Sequence, residues 1–111
     1  MAVRLKNAGV SLTSTSLTNV YTCPTNFTAR IKEIWITNVD GSNAADITLK
    51  WTDTSASATY SILSTYSVAA DNILRIENAH IILEAGDILK MQTTQTNVIK
   101  MTASVLQISR S

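Results

Sequence analysis

The sequence predicts an all-β fold: a single β-sandwich, jelly-roll-like, with about eight antiparallel strands and little or no helix. Three observations lead there. The chain holds 16 Thr, 12 Ile and 7 Val among 111 residues, and β-branched side chains favour extended backbone. Turn-forming clusters recur at short intervals, at Asn7-Ala8-Gly9, Pro24-Thr25-Asn26, Asp40-Gly41-Ser42-Asn43, Thr54-Ser55-Ala56-Ser57, Asp71-Asn72, Ala85-Gly86-Asp87 and Thr96-Asn97. Between them, apolar residues alternate with a period of two. Many short strands at this spacing argue a two-sheet sandwich.

The elements follow in order. Val3 and Leu5 alternate with Arg4 and Lys6. Residues 1–8 are therefore either an N-terminal arm that adds to a neighbouring subunit's sheet edge or the sandwich's own first strand, ahead of a turn at Gly9. Strands are expected next at Val10–Thr15 and Thr18–Cys23. Phe27–Val39 is a long strand in which Phe27, Ala29 and Ile31 share one phase and Ile34 and Ile36 the other. A β-bulge near Lys32 and Glu33, or burial on both faces, produces such a switch. Asp40-Gly41 is the strongest hairpin signal in the chain. In Ala45–Asp53, Ile47, Leu49 and Trp51 point one way while Thr48, Lys50 and Thr52 point the other, the mark of a half-buried strand. Thr59–Ser67 comes next. The apolar residues of Asp71–Leu83 gather on no single helical stripe, so short strands at Ile73–Glu77 and Ile81–Leu83, turning near Asn78-Ala79-His80, are preferred to a helix capped by Asp71. Ile88–Thr94 and Val98–Ile108 close the fold. In the last, Ile99, Met101, Ala103 and Val105 share a phase and Leu106 and Ile108 take the other.

Composition sets the bounds of function. A chain of this length forms one domain, residues 1–111, with roughly two-thirds of its unfolded surface buried. Charged residues make up 15% and the formal net charge is +1, so no basic footprint for nucleic acid is present. Hydroxyl and amide side chains replace charge, with 12 Ser and 8 Asn beside the 16 Thr. No apolar run approaches the ~20 residues of a membrane-spanning helix. Met1 to Val10 lacks the apolar core of a secretory signal, so synthesis in a reducing cytoplasm is expected. Cys23, the lone cysteine, is expected as a small buried hydrophobe.

Catalytic chemistry finds no constellation. Nucleophilic catalysis needs a nucleophile beside a base, and His80 is the only histidine. One Cys and one His do not complete a zinc site. The eight acidic residues single out no paired carboxylates. Gly9, Gly41 and Gly86 are isolated and form no phosphate cradle. No catalytic, cofactor-binding or metal-ligating residue is predicted, and the chain is not expected to be an enzyme. Trp51 alternates with the core residues and is placed inside. Trp35 lies at the phase switch and is assigned to the core or to a subunit interface. Arg30 and Lys32 are assigned to a solvated or subunit-facing edge. Tyr21, Tyr60 and Tyr66 are expected half-buried, with wet hydroxyls.

The segments Val20-Tyr21-Thr22-Cys23-Pro24, Phe27 to Asn38 and Leu83-Glu84-Ala85-Gly86-Asp87-Ile88-Leu89 resemble a group of small all-β virion structural proteins of tailed bacteriophages, of the capsid decoration or cement type. The likeness runs from about Leu17 to Ile108. It departs at Cys23, where an aliphatic residue is usual, and in a turn after Pro24 that lacks glycine. The resemblance implies a location in the virion, with other virion proteins, the major capsid protein foremost, and copies of the same chain as partners. It implies no catalytic residue, cofactor, nucleic acid or membrane. A tail-associated accessory or carbohydrate-binding adhesin is the alternative, and a glycan would be a partner only under it. The expected interface comprises Val3, Arg4, Leu5, Lys6, Arg30, Lys32 and Trp35. A low-charge Thr/Ser/Asn surface suits repeated protein contacts, because few charges need desolvating there.

Overall fold

A computed structural model describes residues 3–77 and 79–109; Met1, Ala2, Asn78, Arg110 and Ser111 lie outside the described residues. The described chain is all-β, with nine strands and no helix: β1 (Val3–Ser11), β2 (Thr18–Thr22), β3 (Phe27–Asn38), β4 (Ala45–Asp53), β5 (Ala58–Val68), β6 (Ile73–Ile76), β7 (Ile81–Leu83), β8 (Ile88–Thr93) and β9 (Ile99–Ser109). Every pairing is antiparallel: β1 with β9, β2 with β8, β3 with both β6 and β7, and β4 with β5. Each strand of the first half thus pairs with its counterpart in the second half, so the chain forms one long hairpin. Wrapping that hairpin brings β9 beside β3 and β8 beside β4. The result is two sheets, β1-β9-β3-β6/β7 and β2-β8-β4-β5, the arrangement of a jelly roll. The expected strand at Val10–Thr15 is absent as a separate element, because β1 runs from Val3 to Ser11; the two short strands expected within Asp71–Leu83 are both present, as β6 and β7.

The core lies between the sheets. Ala29, Ile31, Ile34, Ile36, Leu83, Ile99, Met101, Ala103 and Val105 face it from the first sheet. Tyr21, Ala45, Ile47, Leu49, Val68, Leu89 and Met91 face it from the second, with Leu12 and Cys23 filling the ends. The accessible surface, 5950 Å², is close to the ~6,000 Å² expected of a folded monomer this size. Polar groups inside are paired. Tyr21 Oη accepts from Gln107 Nε2 at 2.6 Å, joining β2 to β9 across the sandwich. Burial pushes the Tyr21 phenol above its usual value. The buried Asn38 side chain donates to Asn43 O and Val68 O, each at 3.0 Å, and accepts from Asp40 N at 2.9 Å. Asp87 accepts from Thr54 N and Glu84 N, at 3.1 and 3.0 Å. It closes a turn in which Gly86 has φ 87°, a conformation that glycine takes without Cβ strain.

Several sequence expectations meet the structure directly. The phase switch in β3 is a bulge: its register against β9 shifts between Ile31 and Glu33. Ala79 N donates to Lys32 O at this point, and β7 gives way to β6. Ala45–Asp53 is a strand with the expected inward face. Asp71–Leu83 holds two short strands; the Asn78 part of the expected turn lies outside the described residues. Other expectations fail. Tyr21, expected half-buried with a wet hydroxyl, is buried and bonded to Gln107. Asp40-Gly41 is not a hairpin, because β3 and β4 lie in different sheets; Asn38 and Asp40 build a crossover there, and Gly41 has no positive φ. Asn7-Ala8-Gly9 is not a turn, because β1 runs straight through it in register with β9. The β9 phase does not switch: the odd residues from Ile99 to Gln107 stay buried. Arg30 and Lys32 are not on an edge, because β3 lies between β9 and β6/β7.

Candidate functional site

Directly opposed residues on neighbouring strands point to the same face of a sheet, so the registers map each outer surface row by row. On the first sheet, the even residues of β9 face outward. Leu5, Leu106, Arg30 and Ile82 form one row across β1, β9, β3 and β7. Val3, Ile108 and Thr28 form the row beside it. Toward the other end run Asn7, Ser104 and Glu33, then Gly9, Thr102, Trp35 and Arg75, then Ser11, Lys100, Thr37 and Ile73. Leu5 is 74% exposed, Val3 60%, Ile82 53%, Ile73 52% and Trp35 40%. Val3, Leu5 and Ile82 cluster with Leu106 and Ile108 at one end of this face, the kind of patch that marks a protein contact; Trp35 and Ile73 lie farther along it, beyond the polar row of Asn7, Ser104 and Glu33.

The charges on this face are held in place. Arg30 Nη2 lies within hydrogen-bond reach of His80 Nδ1. Arg75 lies 5.9 Å from the Trp35 ring centroid and 3.4 Å from Glu77. Arg4 and Lys6 take the inward phase of β1. Arg4 covers the Phe27 ring at 4.7 Å, closing the open end of the sandwich. Of the residues expected at an interface, Val3, Leu5, Arg30 and Trp35 therefore share one outer face, Lys32 stands exposed at the bulge beside them, and Arg4 and Lys6 flank the edge. Sequence reasoning missed Ile73, Ile82, Leu106 and Ile108. The last two carried a signal, the second apolar phase of the final strand, which marks an apolar outer face.

The second sheet's outer face differs. Its rows are Ser61, Lys50, Lys90 and Asn19, then Thr59, Thr52, Ile88 and Thr22. An open hollow of about 230 Å³ is lined by Asp46, Thr48, Thr65, Gln92, Thr93 and Thr94. Another, of about 190 Å³, sits at the β3 bulge against Leu5, Lys6, Asn7, Lys32, Ser104 and Val105. The first sets Asp46 among threonine hydroxyls, and the contact between them is the Asp46 backbone N–H donating to Thr94 Oγ1 at 3.1 Å. Among the described residues, no group of three His, Cys, Asp or Glu is placed to hold a metal ion. Trp51 points inward but is only half-buried, at the sandwich end, stacked 5.3 Å from Tyr60. Tyr60 and Tyr66 are 49% and 46% exposed, whereas Tyr21 is buried.

No protein-family model and no curated protein sequence matches the chain. Solved structures do. A subunit of the disulfide-linked pili of Bacillus endospore appendages superposes with TM-score 0.58 at 9% identity, over 98% of this chain and 89% of the other. The acid-stable capsid of Helicobacter pylori bacteriophage KHP30 gives 0.56 at 9% identity, over 100% and 90%. A chain of infectious bursal disease virus, Gx strain, gives 0.52 at 8% identity, over 95% of this chain and 32% of that one. At such identities the likeness is one of fold: the chain shares its β-sandwich with subunits of capsids and pili.

Proposed function

We propose that this chain is a structural subunit of a tailed-phage virion, of the capsid decoration or cement type, that works through repeated protein contacts. The observation that carries the reading is the outer face of the first sheet. A solitary soluble domain usually puts mostly Lys and Glu there; this one presents Val3, Leu5, Trp35, Ile73 and Ile82 among the charges of Arg30, Glu33, Arg75 and Lys100. Two further points support it. The fold is shared with a phage capsid protein along nearly the full length of both chains, and fold alone leaves function open. The low charge spares a lattice contact much desolvation. Single contacts between such subunits are weak, and many identical ones add through effective concentration.

Mass spectrometry of purified particles tests the proposal. The chain should be present in copy number proportional to a symmetry of the virion. Its absence overturns the reading. Binding on a glycan array, lost when Trp35 is replaced by Ala, would instead favour the tail-adhesin alternative.

A further inference from the structure

The sandwich has four sheet edges, and three are blunted. The edge opposite β1 is broken into β6 and β7, of four and three residues. β2 has five residues and a register shift between Asn19 and Tyr21. β5 shifts register twice against β4, and Thr65 within it has φ 51°. Short strands and bulges are the usual guards against edge pairing. β1 has neither. It runs nine residues in unbroken register with β9, without proline or bulge. Its only guards are the charges Arg4 and Lys6.

We infer that β1 pairs antiparallel with β1 of a second copy of this chain, about a two-fold axis through Asn7, so that the two first sheets become one. The strand's own sequence points to that register. Val3 to Lys6 are large; Ala8 to Ser11 are mostly small. Folding the strand against its copy about Asn7 sets Leu5 opposite Gly9, Lys6 opposite Ala8, Arg4 opposite Val10 and Val3 opposite Ser11. The exposed Leu5 side chain then covers the bare backbone at Gly9, where a Cβ would meet nothing closer than 3.8 Å. Centring the pair on Arg4 or Lys6 would oppose two like charges, and centring it on Leu5 would set Lys6 against Arg4; like charges directly opposite are unfavourable. Centring on Asn7 avoids all three and uses all nine residues, leaving the two exposed Lys6 side chains diagonal to each other. About nine inter-chain backbone hydrogen bonds would form. The apolar rows of the two copies would then lie on one surface eight strand positions wide, with β6 and β7 sharing a position in each copy.

The inference rests on the reading of the chain as a repeating subunit. Its test uses the purified full chain, so its failure is distinct from absence of the chain from particles. In sedimentation across a concentration series, the wild type should reach dimer mass. Asn7→Lys, which sets two cations on the axis at an exposed position, should weaken the dimer at least about tenfold. Asn7→Cys should form a disulfide-linked dimer under mild oxidation. A mixture of Leu5→Cys and Gly9→Cys should cross-link more than either variant alone, because those positions face each other only in this register. A wild type that stays monomeric at every concentration overturns the inference. So does a folded Asn7→Cys chain that does not cross-link, or Leu5→Cys alone linking as well as the mixture.

Discussion

The two outer faces of this sandwich are built from the same alternation and finish differently. Across the first sheet runs a row of Leu5, Leu106, Arg30 and Ile82. Across the second runs Ser61, Lys50, Lys90 and Asn19. Both inner faces are mainly apolar, with the Tyr21–Gln107 pair and buried Thr93 as polar exceptions, so the difference does not come from the core. Water imposes no such asymmetry on a lone domain either. A low overall charge therefore conceals two surfaces: one that water satisfies, and one that gains by being covered.

The inner faces supply the baseline and the largest effects. Ile34→Ala in the first sheet and Leu49→Ala in the second each remove a fully buried side chain. Each should cost about 2–5 kcal/mol in denaturant unfolding. A cost below about 1 kcal/mol at either position would mean that its side chain is not packed in the core. The next effect is at the bond that ties the sheets together. Tyr21→Phe leaves Gln107 Nε2 without its acceptor in the core and should cost about 1–3 kcal/mol. The same tyrosine carries an alkaline signature. Its folded phenol titrates above the usual value because it is buried. Its contribution is complete below about pH 10 and is lost as pH rises through the higher folded value. Unfolding curves of Tyr21→Phe should lack that alkaline decline.

Smaller effects on folding separate the outer faces most sharply. Leu5→Ser and Ile82→Ser should leave unfolding within about 1 kcal/mol of wild type, yet reduce incorporation into particles. Lys50→Ala and Ser61→Ala on the other sheet should change neither. If the second-sheet pair lowers incorporation and the first-sheet pair does not, the assignment of the faces is reversed. The smallest effect concerns the crossover loop between them. Backbone N–H groups of Ser42 and Asn43 hold the Asp40 carboxyl below the usual carboxylate range. Its help to the loop is present above the unfolded value and is lost as pH falls through the folded one. The protection factors of the Ser42 and Asn43 amides, taken against their intrinsic exchange rates, should fall at acid pH, and Asp40→Ala should abolish that dependence.

Much of this architecture was legible because period-two patterning reports burial. The alternation of Ile47, Leu49 and Trp51 marked β4, and the broken alternation around Lys32 marked the bulge. What alternation does not report is which strand lies alongside which. Asp40-Gly41 has hairpin chemistry, yet Asn38 folds its side chain into the loop and sends β4 to the other sheet. Gly9 has turn chemistry, yet nine consecutive pairings with β9 keep β1 straight. Arg30 and Lys32 have the composition of an edge, yet non-local pairing with β9 and β6/β7 makes β3 an inner strand. The outer apolar face was written twice, in Val3 and Leu5 and in Leu106 and Ile108. The second pair reads as a change of phase because an apolar residue carries no label for the inside or the outside of a sandwich. Only the register, which sets Leu5 beside Leu106 and Val3 beside Ile108, joins the two into one surface.

The most direct test of the central claim, that the outer face of the first sheet is the one protein covers, is a cryo-EM map of the native particle with this chain located in it. The account predicts protein density against Leu5, Trp35, Ile82 and Leu106, with Lys50 and Lys90 facing solvent. A map with the first sheet open to solvent, and the second buried against its neighbours, would contradict it.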